Sequence, residues 1–194
     1  MRIVTSLTVA LISIVFLARP NSAAAQCATK PDNVAQALSA KDAYSLAKAE
    51  AIKSNADSAL VRMITTTGPL DAQGRSTTWM AEFFSPTAKK LTIVNFTSGA
   101  MDCNAAAIDG PFFAQPIGET ADTIFDAERL VRIARDAGGS GFNPAGLTVG
   151  AALMRSGPDA PATWSISYVT PEGRPMLEVS IDSMSGVATG KTPR

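Results

Sequence analysis

The stretch from Trp164 to Gly186, WSISYVTPEGRPMLEVSIDSMSG, constrains the fold more than any other part of the chain. Trp164, Ile166 and Tyr168 alternate with Ser165 and Ser167. After the turn-forming Thr170-Pro171-Glu172-Gly173, Leu177, Val179 and Ile181 alternate with Glu178, Ser180 and Asp182. A period of two puts the apolar residues of a strand on one face. The stretch therefore predicts a β-hairpin with one face on a core and the other in water.

The pattern occurs twice. Trp79 to Gly99, WMAEFFSPTAKKLTIVNFTSG, places Trp79 and Pro86 each 85 residues before Trp164 and Pro171. Thr92-Ile93-Val94-Asn95 with Ser98-Gly99 then corresponds to Val179-Ser180-Ile181-Asp182 with Ser185-Gly186. Upstream, Asp42-Ala43 and Leu46 correspond to Asp126-Ala127 and Leu130. Three elements matching in order point to a tandem duplication over 42–99 and 126–187. The alternative is that two amphipathic helix-plus-hairpin units align this well by pattern alone. Two copies are too few for an open solenoid, so two packed modules are expected.

A tryptophan-led strand, a turn, and a strand ending in aspartate and a Ser-Gly turn resemble the final hairpin of a PepSY domain. That module occurs in propeptides of secreted metallopeptidases and in bacterial envelope proteins. The resemblance rests on Trp79, Ser98, Gly99, Trp164, Asp182, Ser185 and Gly186. It departs at Asn95, where aspartate is usual, and at Pro86-Thr87-Ala88-Lys89, which lacks the turn glycine. It implies an α+β fold of two similar units, each a helix packed on a three- or four-stranded antiparallel sheet. It also implies a role in binding or restraining another protein, such as a peptidase, and no catalysis.

Residues 1–25 have the grammar of a secretory signal peptide: Arg2, an apolar run from Ile3 to Ala18, the breakers Pro20 and Asn21, and Ala23-Ala24-Ala25 as a cleavage site before Gln26. The rival, an uncleaved anchor, would need a span of about 20 apolar residues. Export to the periplasm or medium is expected, with no stable membrane span after cleavage. The remaining organisation reads as a first unit at 26–104, a linker at 105–121 and a second unit at 122–194. Cys27 and Cys103 both survive cleavage, and an oxidising compartment predicts that they form one disulfide. A redox-active pair is the alternative, although no Cys-x-x-Cys spacing accompanies it.

Lys plus Arg and Asp plus Glu number 17 each, so no global field favours nucleic acid. There is no histidine, which excludes Ser-His-Asp triads and the usual zinc sites. Gly138-Gly139-Ser140-Gly141 follows a helix instead of opening one, and Gly190-Lys191-Thr192 has no helix behind it, so neither reads as a phosphate loop. Asp182 and Asn95 read as turn acceptors, and Asn95-Phe96-Thr97 as a sequon inside a strand. No catalytic residue, metal site or cofactor emerges.

Ser39 caps a helix running to about Ser54, with Leu46, Ala49 and Ile52 or Lys53 as its apolar stripe. Strands follow at Leu60–Thr67, Thr77–Phe84 and Lys90–Phe96. Met101–Thr120 reads as loop, with Phe112 and Phe113 as core plugs. A second helix, capped by Asp122, buries Ala127, Leu130, Ala134 and Ala137 and turns Arg129, Arg132 and Arg135 to solvent. A strand at Leu147–Met154 precedes the hairpin, and Gly190–Arg194 reads as a frayed tail.

Met80, Glu82 and Phe84 lie opposite Trp79, Ala81 and Phe83, so the first hairpin has a second apolar face. The linker, the other unit or a partner must cover it, and these three residues are the candidate protein-binding strip. The alternative function is a carrier of an apolar ligand in the helix–sheet gap; a third is a cryptic enzyme using carboxylates and serines.

Overall fold

The computed structural model describes residues 25–26, 34–110, 112, 114–118, 125–138 and 141–193. Strands β1 (Ala25–Gln26) and β2 (Leu38–Ser39) precede helix α1 (Ala40–Ser54). Then come β3 (Ala59–Thr65), β4 (Arg75–Ser76), β5 (Thr78–Ser85), β6 (Lys90–Thr97) and β7 (Ala100–Ala107). Helix α2 (Ala127–Gly138) is followed by β8 (Thr148–Arg155), β9 (Ala162–Val169), β10 (Pro175–Asp182) and β11 (Ala188–Pro193). The architecture is α+β. One antiparallel sheet has the order β1-β7-β6-β5-β3-β8-β9-β10-β11, and β2 pairs with β4 in a small separate ladder.

Register explains how one face became the core. Reading straight across the sheet, Cys103, Val94, Ala81, Met63, Leu153, Trp164 and Ile181 form one row, each opposite the next. Every member of the row is buried, and both helices lie over it. The middle of the row crosses from β3 to β8 through Arg62–Met154, Met63–Leu153 and Ile64–Ala152. Beyond these pairs the Thr65 hydroxyl takes over the ladder, accepting from Ala151 N at 3.0 Å and donating to Ala151 O at 3.4 Å. Leu70 N then donates to Val149 O at 2.8 Å.

Helix α1 starts where expected. Ser39 Oγ accepts from Asp42 N at 3.1 Å and donates to Asp42 Oδ2 at 2.7 Å. Its buried stripe differs from the expectation: Ala40, Ala43, Ala47 and Ala51 face the sheet with Glu50, whereas Ala49 and Ile52 are exposed and Leu46 is half-buried. Alanines allow close approach to a sheet that already carries Trp79 and Phe83 on that side. In α2, Ala127, Leu130 and Ala134 are buried, Ala137 half so, and the three arginines are exposed. Asp126 caps it, its Oδ1 accepting from Arg129 N at 3.0 Å; the expected cap, Asp122, lies outside the described residues.

An aromatic line runs from one half of the sheet through α1 and the lead-in to α2 to the other half. Phe83 stacks on Tyr44 at 6.4 Å, Tyr44 on Phe125 at 4.5 Å, and Phe125 meets Trp164 edge-on at 6.2 Å. Burial pushes the Tyr44 hydroxyl up to about 12, so it stays neutral and accepts from Lys48 Nζ at 3.1 Å. Trp79 Nε1 donates to Leu38 O at 2.9 Å and Tyr168 OH to Val131 O at 3.1 Å, so two large buried rings keep their polar atoms partnered.

Two segments expected to be irregular form strands. Met101–Thr120 opens with β7, so the expected linker begins after Ala107. Met101 and Cys103 are buried while Asp102 and Asn104 are exposed, yet the Asp, the Asn and the four alanines of β7 carry little strand propensity of their own. The C-terminal segment is β11, an edge strand on β10 whose Lys191 donates to Gly138 O at the end of α2, at 3.1 Å. The expected tail is thus a helix cap. Cys103 is disulfide-bonded. The other cysteine of the sequence, Cys27, and all of the expected signal segment except Ala25 lie outside the described residues.

The turn before β4 also locks the halves together. Gly74, at φ 69°, sits so close to the start of α2 that a Cβ there would lie 2.4 Å from Glu128 N. Gly74→Ala is expected to lower stability by roughly 1–3 kcal/mol in urea unfolding, through both strain and collision with backbone. Gly173→Ala, at a positive φ but in open space, should cost less.

Candidate functional site

The face of the sheet away from the helices is the candidate site, and register again orders it. One row runs Asp102, Asn95, Met80, Ile64, Ala152, Ser165, Ser180, Gly190; the next runs Asn104, Ile93, Glu82, Arg62, Met154, Thr163, Asp182. The β7 end is amide and carboxylate, the middle is apolar around an ion pair, and the β10 end is hydroxyl-rich. Met80, Ile64, Ile93 and Ala152 are half-buried, and Met154 is 41% exposed.

The three residues singled out from the sequence have different surroundings. Met80 remains half-buried in the apolar middle. Glu82 is 8% exposed, and its carboxylate accepts from Arg62 Nε at 3.0 Å and from Arg62 Nη2, a two-pronged pair that satisfies its charge inside an apolar patch. Phe84 is covered by the segment after β7: Phe112 stacks on it at 4.2 Å and 21°. That segment is held further on by Ile117 N donating to Leu60 O at 2.8 Å and by Arg155 Nη1 donating to Pro116 O at 3.0 Å. The expected plug is therefore Phe112, while Phe113 lies outside the described residues. Sequence reasoning missed Arg62, Ile64 and Ile93. Their alternation in β3 and β6 was the available signal, but only the register shows that they share a patch with Met80.

Trp79 and Trp164 are fully buried on the opposite face. Ser98-Gly99 and Ser185-Gly186 turn out to be different turns. Ser98 and Gly99, at φ 46° and 85°, form the two-residue link between β6 and β7, as a primed hairpin turn requires. Ser185 and Gly186 lie in the longer link from β10 to β11, where Asp182 Oδ1 accepts from Met184 N, Ser185 N and Ser185 Oγ at 2.7–3.1 Å. These bonds, the Ser185 backbone first, hold the Asp182 carboxyl below its usual range. Asn95 sits inside β6, opposite Asp102 and not at the turn, so the expected equivalence of Asn95 and Asp182 as turn acceptors is not met.

Among the described residues no group of three or more His, Cys, Asp or Glu side chains could hold a metal ion, and no helix is long and apolar enough to cross a membrane. No protein-family model matches the chain. No curated protein matches it either. Among solved structures it resembles a "putative lipoprotein" from Clostridium difficile 630, with TM-score 0.54 and 11% identity, over 78% of this chain and 92% of that one. At that identity the likeness is one of fold.

Asp57 anchors the hairpin that carries Met80 and Ile93. Its Oδ1 accepts from Ser85 Oγ at 2.5 Å and its Oδ2 from Thr87 N at 3.0 Å. The Ser85 bond first, then those from Thr87, lower its carboxyl to about 2. A depressed carboxyl contributes stability above its unfolded value of 3.8, and that contribution disappears as pH falls through about 2. Urea midpoints of wild type and Asp57→Asn should differ by a constant amount above pH 5 and converge between pH 4 and pH 2 (roughly the interval of that titration).

Proposed function

We propose that the chain is an exported, non-enzymatic binding protein of two PepSY-like units, which docks another envelope or secreted protein on the open face of its sheet. The observation carrying this reading is the composition of that face: Met80, Ile64, Ile93 and Met154 around the Arg62–Glu82 pair, on a sheet whose other face is fully committed to core. An antiparallel sheet needs only one apolar face to fold, so the second apolar patch asks for a cover. Among the described residues, Phe112 supplies one at Phe84. Because Glu82 is already neutralised by Arg62, a partner can bury the patch without stranding a charge.

The two-unit reading is supported by the order of elements. Each half is a helix followed by a four-strand meander, and the strand order mirrors itself about the β3–β8 junction. Export is supported by the signal-peptide grammar and is in keeping with the clostridial neighbour's description as a lipoprotein. The carrier alternative needs room between helices and sheet. Trp79, Phe83, Trp164 and Tyr168, at most 1% exposed, belong to the core on that side of the sheet, which favours the docking reading.

The test is cross-linking of the purified protein to its own periplasmic or culture fraction, wild type against Met80→Arg/Ile93→Arg. Capture of a defined partner should fall at least tenfold with the thermal midpoint nearly unchanged, as for loss of central anchors worth about 1–2 kcal/mol each. Undiminished capture by the double variant would end the proposal. Phe84→Ala, beneath Phe112, should instead lower the midpoint and affect capture less.

A further inference from the structure

The hydroxyl-rich end of the open face contains a depression of about 380 Å³, within the usual range for small-ligand sites. Its lining includes Met154, Thr163, Ser165, Ser180, Thr189 and Gly190. Ser165, Ser180 and Gly190 are successive members of one row across β9, β10 and β11, and Met154 and Thr163 pair in the row beside them. The depression exists because β11 has no side chain at Gly190. A Cβ there would meet Ser180 Cβ and Oγ at 3.7 Å, an ordinary contact, so a larger residue would project over the floor without strain.

The hydrogen bonds of the lining set its polarity. Ser165 Oγ donates to Glu178 Oε1 at 2.8 Å, Thr163 Oγ1 to Pro161 O at 3.3 Å, and Thr189 Oγ1 to Ser180 O at 3.4 Å. A hydroxyl has one proton and two lone pairs, so these three of the five lining hydroxyls turn acceptor capacity to the depression, while Ser156 and Ser180 can donate or accept. Among the described residues no lysine or arginine lines it. Lys191, the residue after Gly190 on β11, is engaged with the end of α2. Among the described residues an anion would find no cationic donor in the lining, and the nearby Glu178 carboxylate is engaged by Ser165 and is not itself part of the lining. A ligand rich in O–H donors, with a C–H face to rest on Met154, matches both properties.

We propose that this depression binds a neutral, hydroxyl-rich ligand, a short stretch of glycan, at a site separate from the apolar patch around Met80. The proposal does not depend on the protein-docking reading.

The experiment is an amide NMR titration of the folded protein with chitotriose and with cellotriose, using putrescine and inorganic phosphate as counter-probes. At least one saccharide should give saturable shifts at Ser165, Ser180 and Gly190 in the millimolar range. Gly190→Val should weaken that binding more than tenfold while keeping the native spectrum, and Ser165→Ala, which removes one acceptor without adding bulk, should weaken it severalfold. No saturable shift with either saccharide would overturn the proposal. So would shifts that survive both substitutions, or tighter binding of putrescine or phosphate at the same residues.

Discussion

Three residue pairs, Arg62–Met154, Met63–Leu153 and Ile64–Ala152, carry the pairing of β3 with β8, and the rest of the molecule depends on that short junction. It turns two meanders into one sheet and removes an edge from each, so neither presents its first strand for uncontrolled pairing. The surroundings reinforce it because three pairs are few. Thr65 extends the ladder through its side chain, Leu70 hydrogen-bonds Val149, and Gly74 lets the turn before β4 abut the backbone of α2. The line Phe83–Tyr44–Phe125–Trp164 crosses the same junction on the helix side.

With the junction made, the two faces of the sheet have different physical tasks. The helix side is filled by large rings whose polar atoms are satisfied, as at Trp79 and Tyr168. The other side is left in contact with solvent, and its chemistry changes along the sheet because each strand contributes its own alternate residues. β3, β5 and β6 bring Ile64, Met80 and Ile93; β9 and β10 bring Thr163, Ser165 and Ser180. The Arg62–Glu82 pair shows how a charge can persist in the apolar part: the carboxylate is nearly buried, but both its oxygens are engaged.

Much of this was legible in the sequence wherever period and capping agreed. The hairpin from Trp164 alternates as cleanly in space as in letters, and Ser39 caps α1 as its position before Asp42 predicts. The strands that escaped, β7 and β11, take their pairing from neighbours. Ala105-Ala106-Ala107 and Gly190 have little preference for a strand until β6 and β10 offer hydrogen bonds. The stripe of α1 was misplaced because alanine carries almost no hydrophobic signal, although it is what lets the helix settle over Trp79. The candidate strip was partly legible: the double-sided alternation of β5 marked Met80, Glu82 and Phe84. That Arg62 neutralises Glu82 and that Phe112 covers Phe84 are long-range facts, which no local pattern encodes.

The central claim is that the β3–β8 junction makes the two halves one cooperative body. Native-state hydrogen exchange tests it most directly. The backbone amides bonded across β3 and β8 should be among the slowest in the molecule and should exchange only through global unfolding, with the same denaturant dependence as amides in the β5–β6 and β9–β10 ladders. Junction amides that exchange by local opening while the two meanders remain protected would contradict it.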